Sequence, residues 1–246
     1  MKHRRTNRLK LEAQTVDLWL ARLDYATAWS RLTVDNLSQD EAERAKEFYS
    51  SDDRARFVTT RAILRDLVSR YLGCTPGQIR FEYQLNGKPQ LVQTRLNTND
   101  LRFSVSHCAT AALYGFSVGR ELGVDIELIR PQIPFSRLAG RFFAQEEIAK
   151  LQQWPLDQRC TGFFTCWTRK EAYAKAHGLG LSLPFDSFEV SAAPREAPQL
   201  LAAADLSELE RWSLWDVPLD ESLAGALATQ GRPRRLRLFH YCLPAE

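Results

Sequence analysis

Asp125 and Glu127 stand two residues apart in Gly123-Val124-Asp125-Ile126-Glu127. Val124 and Ile126, both β-branched, alternate with them in the period-two pattern of a half-buried strand. That alternation sends both carboxylates out of the opposite face, roughly 7 Å apart, where they repel unless a cation lies between them. A second stretch, Trp167-Thr168-Arg169-Lys170-Glu171-Ala172-Tyr173-Ala174-Lys175, reads as helix and puts Glu171 and Lys175, four apart, on one face. Three carboxylates with a neighbouring lysine suit a hard cation that handles a phosphate. Magnesium takes oxygen ligands from one or two carboxylates, water and substrate phosphates, and no His/Cys set competes for a softer metal. Spacing alone leaves the bland alternative open. Acids at i and i+2 are common on half-exposed strands, and Glu171 with Lys175 also makes an ordinary helix ion pair worth about 0.2–0.5 kcal/mol.

Other candidates are individually weaker. Ser104-Val105-Ser106-His107 ends a strand, where binding groups gather, and Ser106 and His107 suit phosphate oxygens. Adjacent residues point apart, which excludes Ser106-His107 as a nucleophilic pair. Lys88 follows the Asn86-Gly87 turn; Arg44, Arg56 and Arg61 lie on helices, where arginine forks either hold phosphates or line a solvated face. Arg169 and Lys170 read as surface charges.

These residues need elements to hold them. Val16, Leu18 and Leu20 mark a first strand; a short helix follows Ser38 and runs to about Tyr49. A longer helix opens at Asp52-Asp53 and stops at Gly73, its apolar face supplied by Phe57, Leu64, Leu67, Val68 and Tyr71. Strands are expected over 79–85, 102–106, 111–118 and through Asp125. After Arg130-Pro131 the pattern restarts: Arg141-Phe142-Phe143 with Glu146-Glu147 resembles Glu47-Phe48-Tyr49 with Asp52-Asp53, and a helix with Phe163, Phe164 and Trp167 follows. Strands are expected at 187–190, 211–217, 223–228 and 236–241, with a surface loop over 192–207. Each half reads as helices followed by a meander, an α+β arrangement with halves 1–130 and 131–246.

Composition sets outer limits. The 246 residues are 44% hydrophobic and 26% charged, which fits a soluble globular protein, and the net charge of +3 is too mild to argue for nucleic acid. Five cysteines without CxxC spacing read as reduced thiols, hence a cytoplasmic chain. No apolar run approaches the ~20 residues of a membrane span. The basic start (Lys2, Arg4, Arg5, Arg8, Lys10) lacks a signal-peptide core and reads as a solvated terminus.

Taken together, the motifs resemble the 4′-phosphopantetheinyl transferases of the longer, Sfp type. The resemblance lies in Asn86-Gly87-Lys88-Pro89, Phe103-Ser104-Val105-Ser106-His107, Gly123 to Glu127, Arg141-Phe142-Phe143 with Glu146, Trp167 to Lys175 and Gly178 to Pro184, in family order. It implies a monomer with two α+β halves about a pseudo-twofold axis, each with a mainly antiparallel sheet packed on a long helix, and coenzyme A in the cleft between them. The implied reaction moves the phosphopantetheine arm of coenzyme A to a serine of an apo acyl or peptidyl carrier protein and releases adenosine 3′,5′-bisphosphate. Implied roles are magnesium ligation by Asp125, Glu127 and Glu171, proton acceptance by Glu171, and pyrophosphate contacts by Lys175 and Ser106. His107 and Arg56, with Arg44 as a further partner, would hold the 3′-phosphate, and Lys88 would lie beside the adenine. One departure concerns that phosphate: Asp40, Glu41 and Glu43 crowd the helix on which the family offers another basic residue. The competing readings are a magnesium-dependent hydrolase of the coenzyme A pyrophosphate and a non-catalytic module binding coenzyme A or a carrier protein.

Overall fold

The computed structural model describes residues 8–23, 36–83, 87–92, 100–192 and 196–242, and at 181 the backbone alone. The described chain is α+β, with six α-helices and eleven strands. In order they are β1 (Thr15–Arg22), α1 (Gln39–Lys46), α2 (Ser51–Leu72), β2 (Phe81–Tyr83), β3 (Pro89–Leu91), β4 (Leu101–His107), β5 (Ala111–Val118) and β6 (Leu122–Leu128). There follow α3 (Phe135–Phe142), α4 (Gln145–Gln152), α5 (Leu156–His177), β7 (Glu189–Val190), β8 (Leu200–Ala202), α6 (Ser207–Arg211), β9 (Trp212–Asp216), β10 (Leu223–Gln230) and β11 (Arg235–Tyr241). Local signals explain the long helices. The Ser50 hydroxyl accepts from the Asp53 amide to open α2, while α2 and α5 both stop where a glycine, Gly73 or Gly178, takes the left-handed conformation.

One sheet runs β11-β1-β5-β4, antiparallel except for the parallel β11–β1 pair; a second runs β6-β10-β9, all antiparallel. Strand β6 therefore belongs with strands late in the sequence, and β11 with the earliest one. Alternation sorts the side chains into three clusters. Val16, Leu18 and Leu20 share a core with Val124, Ile126 and Leu227 of the other sheet. Trp19, Tyr114 and Phe116 lie on the reverse face with Leu64, Leu67 and Tyr71 of α2; Ala226 and Leu214 lie with Phe163, Phe164 and Tyr173 of α5. Each fully buried large apolar side chain contributes ~1.5–3 kcal/mol.

Helix α5 and strand β6 approach closely at Gly123. A Cβ there would stand 2.1 Å from the carbonyl oxygen of Ala172 and 2.4 Å from the amide nitrogen of Ala176, so the backbone of α5 rests directly on β6. The faces that the alternation assigned to solvent are thus covered by helix, and Asp125 is 3% exposed.

Buried charges hold the helices in place. Glu147 accepts from the Ala144 amide (2.9 Å), the Val190 amide (2.7 Å) and Lys170 Nζ (2.7 Å to each oxygen); Lys170 also donates to Phe188 O (2.6 Å). Arg169 grips Asp216 through two bonds and donates to Ser191 O. Both cations were expected on the surface; both are fully buried, because every charge finds partners inside. In the first half Glu41 repeats the device, accepting from the Ser38 amide (3.0 Å) and Arg65 Nε (2.5 Å).

Other expectations shift. The segment 192–207 contains β8, paired with β7, and the start of α6. Phe48-Tyr49 precedes the long α2, whereas Phe142-Phe143 precedes the short α4, so that sequence echo does not match the order of elements. Asn86, the first seven residues and Leu85 at the end of the expected 79–85 strand lie outside the described residues.

Replacing Gly123→Ala is expected to destabilise the protein by at least the ~1–3 kcal/mol typical of overpacking. The atoms in the way are helix backbone, which cannot swing aside. Denaturant unfolding checks this; an unchanged midpoint would mean that α5 does not rest on β6.

Candidate active site

The short approach at Gly123 places the next outward residue of β6, Asp125, against the last turn of α5. Lys175 Nζ donates to Asp125 Oδ1 (2.6 Å) and to Ser106 Oγ (2.9 Å), and Ser106 Oγ donates to the same Asp125 Oδ1 (2.7 Å). One residue from each of β4, β6 and α5 thereby closes a triangle. The second carboxylate oxygen, Asp125 Oδ2, is buried and has no hydrogen-bond partner. An uncompensated buried oxygen of this kind costs several kcal/mol unless a cation or water reaches it.

Ser104, two residues before Ser106, accepts from the Val124 amide (3.1 Å) and stitches β4 to β6. The two sheets meet along this seam, and a cleft of about 370 Å³ opens beside it. Asp125, Glu127, Glu171, Lys175, Ser106 and His107 line it from β4, β6 and α5, with Phe57, Thr60 and Arg61 of α2 on its other wall. A neighbouring cavity of about 330 Å³ shares Glu171, Lys175, Val105 and Pro89, and continues past Gly87, Lys88, Phe103 and Gly180.

The electrostatics are those of crowded acids. Burial pushes Glu127 up to about 7, with the Asp125 charge adding to the effect and Arg130 opposing it. Glu171 is likewise raised by burial and by Asp125, against the pull of Lys175. For Lys175, burial works against the charge, but Asp125 and Glu171 outweigh it and hold the pKa above the ordinary lysine value. His107 faces solvent at the rim, yet the protein around it, and the charges of Arg56, Lys175 and Arg61, lower its proton affinity.

No three His, Cys, Asp or Glu side chains among the described residues are drawn together tightly enough to hold a metal ion unaided. The donor set still fits magnesium, which keeps several waters and asks for only one or two carboxylates besides substrate oxygens. Asp125 Oδ2 is the unspent ligand such an ion would take.

The expected site residues are only partly gathered. Asp125, Glu127, Glu171, Lys175, Ser106 and His107 line one cleft. Arg56 influences His107 electrostatically but pairs with Asp53 (3.1 Å), and Arg44 stacks near Phe57 and Tyr83. Lys88 points its ammonium at two backbone carbonyls, Lys175 O (2.7 Å) and Leu122 O (3.2 Å), tying its turn to the ends of α5 and β6. Reading the sequence for catalytic types missed Ser104, whose hydroxyl sets the seam, since a serine in a strand carries no signal of its partner. Lys175 pairs with Asp125 rather than with Glu171 four residues away.

A family profile for the 4′-phosphopantetheinyl transferase superfamily matches residues 121–228, and one for the N-terminal part of 4′-phosphopantetheinyl transferases matches 25–114. The chain is 35% identical over 233 residues to the 4′-phosphopantetheinyl transferase HetI of Nostoc sp., covering 95% of each. It is 31% identical over 154 residues to the 4′-phosphopantetheinyl transferase Sfp of Bacillus subtilis, covering 63% of this chain and 66% of that one. The crystal structure of the Thermotoga maritima holo-[acyl-carrier-protein] synthase superposes on 46% of this chain and 63% of its own, with a TM-score of 0.38 and 21% identity.

The position of Lys88 has a measurable consequence. Burial, with repulsion from Arg102 and Lys175, pushes its pKa down to about 8, against 10.5 for an ordinary lysine. Between those values the unfolded chain binds more protons, so the penalty for burying the ammonium is full below about pH 8 and lifts as pH approaches 10.5. The wild-type urea midpoint should therefore gain on that of Lys88→Met between pH 8 and 10. Parallel profiles would show that the ammonium is not buried.

Proposed function

The chain belongs to the 4′-phosphopantetheinyl transferase superfamily, and we propose that it carries the phosphopantetheine arm of coenzyme A to a serine of an apo acyl or peptidyl carrier protein. It does so with magnesium, as a cytoplasmic monomer. The observation that carries the site assignment is the triangle of Asp125, Lys175 and Ser106 with an unspent buried oxygen, set in a cleft beside two further carboxylates. Asp125, Glu127 and Glu171 would hold the magnesium ion, which when bound neutralises charge on the pyrophosphate oxygens. Lys175, charged at all working pH values, offers its ammonium to the same oxygens as negative charge builds on them. Ser106 steers that ammonium, and its hydroxyl is a second donor for a phosphate. Glu171 takes the proton of the attacking serine; burial raises its carboxyl toward the working pH, where a base exchanges protons most effectively. The five cysteines are free, in keeping with a reducing compartment.

The two halves 1–130 and 131–246 are proposed to be copies about a pseudo-twofold axis, with the strand pairing favouring a division ahead of Leu122. Several correspondences support this. Both α2 and α5 have 22 residues, and Asp66 and Arg70 hold on α2 the places that Glu171 and Lys175 hold on α5. Asp17 on β1 faces Phe116 beside Gly115, as Asp125 on β6 faces Ala226 beside Gly225. The first-half counterpart is filled by β11: Arg237 takes Asp17 in two bonds (2.6 and 2.8 Å), Phe239 stacks on Trp19, and Tyr241 donates to Asp66 (3.1 Å). On this reading one cleft of the pair is open, and one chain suffices to build it.

The experiment is intact-mass analysis of purified apo carrier proteins incubated with this protein, coenzyme A and magnesium. A gain of about 340 Da, the mass of the transferred arm, is expected, and its loss in Asp125→Ala and Glu171→Ala. Consumption of coenzyme A without the gain would instead indicate hydrolysis, and intact coenzyme A with no gain would indicate a binding module.

A further inference from the structure

We propose that strand β11, with the basic segment leading into β1, is a docking edge for an acidic, extended segment of a partner protein, separate from the cleft.

Charge is unevenly placed along this chain. Residues 1–10 and 232–237 hold nine of the 33 lysines and arginines and none of the 30 acids, yet the net charge is only +3. The rest of the chain is therefore net negative, and the mild total contains a basic pole. The fold brings the two runs together. The amides of Arg234 and Arg235 donate to Gln14 O (2.9 and 3.3 Å), and Arg237 Nη2 donates to Lys10 O (3.0 Å). A groove of about 590 Å³ opens where they meet, lined by Glu12, Ala13, Gln14, Thr15, Arg234 and Arg235. Arg8, Lys10, Arg232, Arg234 and Arg235 are exposed, and among the described residues no carboxylate pairs with them. Arg237 is paired, with Asp17. These cations are held on a fixed backbone with their charge unspent.

The edge itself selects an extended partner. Strand β11 ends its sheet, and no described strand pairs with its outer side. Backbone amides and carbonyls along such a side accept a further strand. Charges on an edge strand commonly block pairing, and here they do so against a second copy, which would set arginine against arginine. The same charges favour an acidic strand, whose carboxylates suit the arginine forks. Bases of a nucleic acid need exposed aromatic rings to stack on, and a membrane needs large apolar side chains that insert. Among residues 8–14 and 232–240 no Phe, Tyr, Trp, Leu or Ile is exposed.

Placement separates this edge from the chemistry. Arg235 pairs with Thr15 at one corner of the sheet, whereas Ser106 and His107 end β4 at the opposite edge and the opposite end. Roughly 20 Å of sheet lies between them, so a partner held on β11 leaves the cleft open.

The test is fluorescence anisotropy with a labelled peptide of alternating glutamate and valine, long enough to span the seven residues of β11. Wild type should bind it saturably and one to one, more weakly as salt rises. The double variant Arg234→Glu/Arg235→Glu, whose urea midpoint should match wild type because both side chains are exposed, should bind at least about tenfold more weakly. The same peptide N-methylated at alternate amides keeps its charge but cannot join a ladder, and it should lose binding to a similar degree. Saturating coenzyme A should leave the peptide bound. No binding by wild type, equal binding of the methylated peptide, an unaffected double variant or displacement by coenzyme A overturns the proposal. Tighter binding of a single-stranded oligonucleotide or of phosphatidylglycerol vesicles also overturns it, and would assign the pole to that anion instead.

Discussion

The site depends on a backbone contact. Where α5 crosses β6 at Gly123, a carbonyl and an amide of the helix occupy the space in which any side chain would stand. Strand and helix can approach this closely only because that residue has no Cβ. The approach puts Asp125 and Lys175 within hydrogen-bond distance and removes Asp125 from water; beside it Glu127 and Glu171 are raised in proton affinity by their own burial, with the Asp125 charge adding to it. A few tenths of a nanometre more would leave a solvated ion pair of little consequence.

Holding α5 at that distance falls to charges in the interior. Glu147 binds the start of α4, the strand after Phe188 and Lys170 at once, and Arg169 anchors the other side of the same helix to Asp216. Burying an ion pair seldom adds net stability. Here Glu147, Lys170 and Arg169 also bond backbone groups near element ends, so the pairs specify where the elements meet. Glu41 and Arg65 do the same for α2, which forms the far wall of the cleft. Two walls are thus set independently, and within the first Ser104 ties the two sheets together by accepting from the Val124 amide.

Much of this was legible in the residues. Caps, left-handed glycines and alternation located the long helices and most strands, because these are local properties of the chain. The carboxylates and Lys175 were legible by type, and the motif order carried the family. Direction was not legible. Arg169 and Lys170 read as surface charges, since a charged residue on a helix gives no sign of a partner 47 or 23 positions away. Lys88 read as a lysine at a turn tip, and nothing along the chain announced the two carbonyls from distant elements that take its ammonium.

The sequence by itself determined the inventory: two α+β runs, a strand with paired acids, a helix with an acid and a lysine on one face, and the family to which they belong. Tertiary structure decided which of these groups meet. It turned Asp125 away from solvent, gave Lys175 to it instead of to Glu171, left one oxygen of Asp125 and one nitrogen of Arg61 unspent, and carried β11 back to β1. The physical reason is that periodicity is set by neighbours along the chain, while burial and pairing are set by whichever element packs across it.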